Sequence, residues 1–169
     1  MSRAPLISVV IPSYNSMHTI RQCLDSVISQ SINQPYEIIV VDSSGDQTPE
    51  IVGGYRQRVR FFHLSQKTIP AIARNIGIGH ATGEYIAFTD SDCIVDSSWL
   101  ENIMRAHQSG YEVVCGSVVN ARSANLISIA EYFLEFRELS EYLPKKENDF
   151  IPAGNFSIKA EILKETGNF

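Results

Sequence analysis

The sequence predicts an α/β domain: a three-layer α/β/α sandwich with a mostly parallel central sheet. Short β-branched runs, such as "LISVVIP" and "YEIIVVD", alternate with segments whose apolar residues recur at helical spacing. The alternation advances in steps of roughly 25 residues, the rhythm of βαβ units. The 169 residues, 44% hydrophobic and 20% charged, suit one domain large enough for a core.

Each element follows from a local pattern. "LISVVIP" (residues 6–12) is a buried strand stopped by proline. "HTIRQCLDSVISQ" places Ile20, Leu24, Val27 and Ile28 on one helical face, with Ser16 and Thr19 as candidate N-caps. "YEIIVVD" is a second strand, ended by the turn residues "SSGDQTP". A helix over residues 49–57 tolerates Pro49 in its first turn. "RVRFFHL" is a third strand. "IPAIARNIGIGHAT" is a helix with Ile69, Ile72, Ala73 and Ile76 on one face, loosened and ended by Gly77, Gly79 and Gly83. "EYIAFTD" is a fourth strand. "SSWLENIMRAHQSG" is a helix opened by Ser97 or Ser98 and closed by Gly110, and "YEVVCGSVV" is a fifth strand. After Asn120 the rhythm changes to a long helix over residues 124–142, with Leu126, Ile129, Ala130, Phe133, Leu134 and Phe136 on a wide apolar face. A polar loop, a short strand and a short helix follow.

Composition excludes several classes. The net charge is −5 and no basic stripe is present, which argues against a nucleic-acid binder. Cys23, Cys93 and Cys115 are odd in number and show no Cys-x-x-Cys, which argues against a disulfide framework or a zinc site. The apolar start "LISVVI" is too short for a signal peptide or a membrane span. His18, His63, His80 and His107 share no ligand spacing and read as surface or packing residues.

In a parallel sheet, ligands gather at the carboxyl ends of the strands. The first strand delivers "PSYN" there, the second delivers Asp42, and the fourth delivers Asp90 and Asp92. The carboxylates converge with no lysine or arginine beside them in sequence, and such a cluster needs protonation, water or a metal. Residues two apart on an extended backbone face the same way, so Asp90 and Asp92 suit one hard cation, Mg²⁺ or Mn²⁺. No Gly-x-x-x-x-Gly-Lys-Ser/Thr loop is present. "GIGHATG" has the wrong spacing for a dinucleotide fingerprint, and it ends a helix where the fingerprint must open one. Gly-x-Ser-x-Gly and His-Glu-x-x-His are also absent.

"ISVVIPSYN", "EIIVVDSSGDQT", "ARNIGIGHATGEYIAFTDSDC" and "IPAGNFSIKAEILKETGNF" together resemble the inverting glycosyltransferases of family 2, in order and spacing across nearly the whole chain. The resemblance implies the GT-A fold, a nucleotide-sugar donor (UDP-linked), a divalent cation and attack by an acceptor hydroxyl. It implies that Tyr14 stacks on the donor's base, that Pro12 and Ser13 touch the base through backbone, and that Asp42 accepts a hydrogen bond from it. Arg74 corresponds to a basic residue near the nucleotide, Asp90 to a residue near ribose and metal, and Asp92 to the direct metal ligand. Ser43 and Ser44 depart from the acidic residue often seen after Asp42, and Cys93 stands where many members carry another Asp.

The resemblance divides the chain into a nucleotide-sugar-binding part, residues 1–120, and the start of an acceptor-side part, residues 121–169. The family's general base lies in a motif just past the segment resembling "GNF", so it is expected beyond Phe169. Asp149, Glu161 and Glu165 do not sit in that motif. A truncated transferase of this kind is expected to bind donor weakly and to transfer sugar poorly. The acceptor is expected to be a saccharide or lipid-linked, as in polysaccharide or cell-envelope glycan biosynthesis. The expected location is the cytoplasm, or the inner membrane face for the full-length protein. An uncovered apolar face on the long helix would favour a homodimer. The competing classes are a sugar nucleotidyltransferase, which should carry a glycine-rich basic loop where this chain has "PSYN", and a nucleotide-binding module without transfer.

Overall fold

The computed structural model describes residues 4–120, 126–136, 139, 151, 153–167 and 169. The strands are β1 (Ile7–Ser13), β2 (Tyr36–Asp42), β3 (Val59–His63), β4 (Tyr85–Thr89), β5 (Val113–Cys115) and β6 (Asn155–Lys159). The helices are α1 (Ile20–Ile28), α2 (Thr48–Gly53), α3 (Pro70–His80), α4 (Trp99–Gln108), α5 (Leu126–Phe136) and α6 (Ala160–Thr166). They form one six-stranded sheet in the order β3-β2-β1-β4-β6-β5. β1 pairs in parallel with both β2 and β4, and β2 with β3. β6 is antiparallel to β4 and to β5. The sandwich and its mostly parallel sheet are therefore as the sequence pattern predicts.

Alternation along the central strands divides the core between the two sheet faces. Ile7, Val9 and Ile11 pack with Leu24 and Val27 of α1, Val52 of α2 and Leu100 of α4. Val10, Ile39, Ile86 and Phe88 pack on the other face with Ala73 of α3 and Leu163 of α6. Strands buried on both faces are continuous apolar runs, which is why periodicity locates them well.

Helix α3 departs from its expected face. Ala73, Arg74 and Gly77 are its buried residues, whereas Ile69 and Ile72 are exposed. A Cβ on Gly77 would lie 2.4 Å from Val10 Cγ1, so the missing side chain lets α3 sit directly on β1. Nor do Gly77 and Gly79 end the helix, which continues to His80. Gly83 comes just after it, where a Cβ would meet the Ser8 backbone nitrogen at 2.7 Å. The N-caps also differ from expectation. Neither Thr19 at α1 nor Ser98 at α4 makes a side-chain cap bond. Ser16 instead accepts from the Thr19 and Ile20 amides through its carbonyl.

The last third is less regular than predicted. β5 keeps only three residues of "YEVVCGSVV". Ladder pairing ends near Gly116, whose amide bonds the Asn155 carbonyl at 3.0 Å and whose Cβ would collide with the Asn155 side chain. Cys115 is half-buried, and all three cysteines are free. Of the helix expected over residues 124–142, α5 is described. Residues 124–125, 137–138 and 140–142 lie outside the described residues, as does the side chain of Phe133. Leu126 and Leu134 are exposed rather than packed. Buried His107 ties α4 to the sheet, with Nδ1 2.7 Å from the Tyr111 carbonyl and Nε2 2.8 Å from Ser157 Oγ. Among the described residues no helix is long and apolar enough to cross a membrane.

Two substitutions on α3 should move stability in opposite directions. Gly77→Ala should cost about 1–3 kcal/mol through overpacking on Val10, despite Ala's better helix propensity. Gly79→Ala, where a Cβ meets nothing within 4 Å, should stabilise by up to about 1 kcal/mol. Denaturant unfolding of both variants checks the pair.

Candidate functional site

The carboxyl ends of β1, β2, β3 and β4 share one edge of the sheet, and the polar residues of the chain's centre collect there. Ser13 lies in register with Asp42, and Asp42 with His63. The loops after β1 and β2 are tied together. The Ser43 amide donates to the Ser13 carbonyl at 3.0 Å, and the Asn15 amide to Ser44 Oγ at 2.7 Å. Asn15 adopts a positive φ of 50°, which an asparagine tolerates, and its Oδ1 accepts from the Gly45 amide at 3.1 Å. This turn presents Tyr14 to solvent at 43% exposure, while Pro12 and Ser13 are buried. Lys67 Nζ stands 4.5 Å from the centre of the Tyr14 ring.

Asp42 is wholly buried, with a side-chain exposure of 0%. Its carboxylate accepts from the Ser44 amide at 3.1 Å, from Ser44 Oγ, and from His63 Nδ1 at 2.9 Å. The Leu64 amide donates to the Asp42 carbonyl, and the Thr68 amide to Ser43 Oγ. The segment after β3 is thus fastened to the loop after β2.

The cation absent from the local sequence comes from α3. Arg74 Nη2 lies 2.6 Å from Asp90 Oδ1, and the Arg74 side chain is almost fully buried. Arg74 Nε is buried without a partner among the described residues. Burial pushes the Asp90 carboxyl up from its ordinary value; Arg74 opposes that rise and Asp92 reinforces it. Gly154 closes over the other oxygen, since a Cβ there would come within 2.6 Å of Asp90 Oδ2. Asp92 is exposed. Ser91, between the two aspartates, turns inward to Ser16 Oγ at 2.7 Å. Cys93 Sγ lies 3.8 Å from Asp92 Oδ1, and burial together with Asp92 pushes its thiol up to about 11, so it stays a neutral neighbour. No three His, Cys, Asp or Glu side chains group as a metal site among the described residues.

Asp42, Asp90, Asp92, Tyr14 and Arg74 therefore share one edge, while Glu161 lines a groove with Ala4 and Pro35 at the opposite, amino edge. Two further residues lie at this edge: His63, which the sequence pattern marks as a surface or packing residue, and Lys67. His63 ends β3, and that strand's end was not counted with the others. Lys67 carries no periodic signal.

The model of the family described as Glycosyl transferase family 2 matches residues 8–167. This chain belongs to glycosyl transferase family 2. Among curated relatives of this family 2 chain, glycosyltransferase GlyG of Streptococcus pneumoniae serotype 4 is 35% identical over 68% of the chain and 40% of its own length. Glycosyltransferase AglE of Haloferax volcanii is 28% identical over 99% of the chain and 57% of its own length. The chain thus spans about half the length of these relatives. Among solved structures, S. aureus TarS 1-349 in complex with UDP-GlcNAc superposes with a TM-score of 0.72 at 21% identity, covering 95% of this chain and 47% of that one. Mannosyltransferase PcManGT from Pyrobaculum calidifontis, in complex with GDP-Man and Mn²⁺, gives 0.74 at 23% identity, covering 99% and 48%. The fold of this family 2 chain is GT-A.

The Arg74–Asp90 pair should be energetically coupled. A double-mutant cycle with Arg74→Met and Asp90→Asn, read by denaturant unfolding, should give a coupling of about 0.5–3 kcal/mol. Additive single effects would mean the pair contributes nothing.

Proposed function

We propose that this chain is the donor-binding part of a metal-dependent, inverting glycosyltransferase that moves a sugar from a UDP-linked donor to an acceptor hydroxyl. The observation that carries this reading is the convergence of Tyr14, Asp42, Arg74, Asp90 and Asp92 on one carboxyl edge of a GT-A sheet. The names of the relatives support transfer chemistry, and the neighbours' bound UDP-GlcNAc and GDP-Man support a nucleotide-sugar donor. A relative named poly(ribitol-phosphate) beta-glucosyltransferase, of Bacillus spizizenii, supports a cell-envelope polymer as acceptor class.

The residues perform separable tasks. Tyr14 offers an exposed aromatic face for the base, and the backbone of Pro12 and Ser13 forms the floor beside it. Asp42 fixes the loop after β2 beside the base. Arg74 neutralises Asp90 and holds its carboxylate toward the ribose. Asp92 and Asp90 are hard oxygen donors from one short loop, which fits Mg²⁺ or Mn²⁺, and Gly154 leaves the room that the Asp90 carboxylate needs. Such an ion, when bound, stabilises the negative charge of the departing diphosphate. Binding energy gathered at the base positions the sugar carbon for attack. Inversion also requires a general base for the acceptor hydroxyl. Glu161 lies at the amino edge, away from this site, and is not assigned that role. A cytoplasmic location for the reaction is part of this proposal. The exposed Leu126 and Leu134 of α5 are candidates for a homodimer or inner-face contact.

Isothermal titration of UDP into the chain, with and without Mn²⁺, tests the proposal. Mn²⁺ should tighten UDP binding at least about tenfold in the wild type, and Asp92→Ala should abolish that gain. Identical metal response in the variant, or no metal response in the wild type, would refute the role of Asp92.

A further inference from the structure

We propose that Ser16 and Ser91 form a positioning pair that joins the turn carrying Tyr14 to the loop carrying Asp90 and Asp92. The join sets how strongly a divalent cation and a nucleoside diphosphate reinforce each other's binding. The inference rests on the donor-binding reading above and deepens it.

Ser91 stands between the two aspartates, yet its side chain turns inward. Its Oγ lies 2.7 Å from Ser16 Oγ, and both residues are buried. Ser16 Oγ also donates to the Tyr14 carbonyl at 3.3 Å. A hydroxyl has one proton to give, so Ser91 is the donor to Ser16. The bonds therefore run from Ser91 to Ser16 to the Tyr14 backbone, across 75 positions of sequence. Ser16 is held on its other sides as well. Its amide donates to Thr48 Oγ1 at 2.9 Å, and its carbonyl accepts from the Thr19 and Ile20 amides at the start of α1. The same helix meets the aspartate loop a second time. Cys23 Sγ donates to the Asp90 carbonyl at 3.4 Å, and the Cys93 amide closes a turn on that carbonyl at 3.0 Å. Asp92 itself is exposed, and the Cys93 thiol at 3.8 Å is a weak contact. The place of its carboxylate therefore follows from the backbone of this loop.

In the donor-binding reading, one ligand touches both segments: its base lies on Tyr14, and its diphosphate meets the cation at Asp92. Two contacts to one ligand reinforce each other most when the parts that make them keep a fixed separation. The Ser91–Ser16 bond supplies that constraint where the two segments meet. Without it, the Tyr14 turn and the Asp92 loop must be ordered against each other in the binding step, which weakens the joint contact. Ser16 and Ser91 touch neither nucleotide nor cation in this arrangement. They act through Tyr14 and Asp92.

Titration of UDP with and without Mn²⁺ gives the metal-dependent gain in affinity for the wild type, Ser16→Ala, Ser91→Ala and the double variant. Ser91→Ala should lower that gain at least about threefold, the effect of one lost hydrogen bond. Ser16→Ala should lower it similarly, and the double variant no further than either single change. The affinity of Ser91→Ala for UDP without metal should differ from that of the wild type by less than about twofold. The gain is the readout because general damage to the site weakens both titrations together. A gain in Ser91→Ala equal to that of the wild type, losses that add in the double variant, or equal weakening with and without metal would overturn the inference and leave the donor-binding proposal standing. No gain in the wild type would overturn the metal-dependent reading itself, and this inference with it.

Discussion

A carboxylate that closes a buried strand must be given a cation or a set of donors, and this requirement organises the carboxyl edge of the sheet. Asp90 meets it through Arg74 at 2.6 Å. To bring that guanidinium to the end of β4, α3 must lie close against the sheet, and it does so over Gly77 and Ala73. Asp42 meets the same requirement through Ser44 and His63, which fixes the loop after β2 and the end of β3. Helix placement, loop conformation and strand register therefore meet at two acidic side chains. Asp92 remains exposed at the same edge.

Much of this architecture was legible in the sequence. β1, β2 and β4 are buried on both faces, so their apolar runs mark them unambiguously. Their alternation with helices predicts the parallel sheet, and the parallel sheet predicts the edge at which Tyr14, Asp42, Asp90 and Asp92 meet. The inward face of α3 was not legible. An apolar-periodicity argument selects Ile69 and Ile72, yet close approach to β1 selects the smallest residues. The partners of the aspartates were also hidden. Arg74 lies 16 residues before Asp90 and His63 lies 21 after Asp42, so only tertiary pairing joins them. The expected β5 is longer than the observed one because "YEVVCGSVV" is β-prone throughout, whereas the strand covers only Val113–Cys115.

The resulting edge separates two tasks. On the side of β2 and β3 stand the Tyr14 ring with Lys67 over it and the Asp42–His63 pair. On the side of β4, two carboxylates of different character stand one residue apart, Asp90 compensated by Arg74 and Asp92 open. Arg74 offsets part of the repulsion between Asp90 and Asp92, and in the proposed reading both serve one cation. Diphosphate oxygens would complete such a coordination shell, which ties metal affinity to nucleotide affinity.

That linkage can be observed directly. Anomalous diffraction at the manganese edge, from crystals of this chain grown with UDP and Mn²⁺, would locate the ion and the nucleotide together. The account predicts one strong peak in coordination distance of the Asp92 carboxylate and the diphosphate, with the base against Tyr14. A peak away from Asp92 and Asp90, or a nucleotide lodged in the groove beside Glu161 at the amino edge, would contradict it.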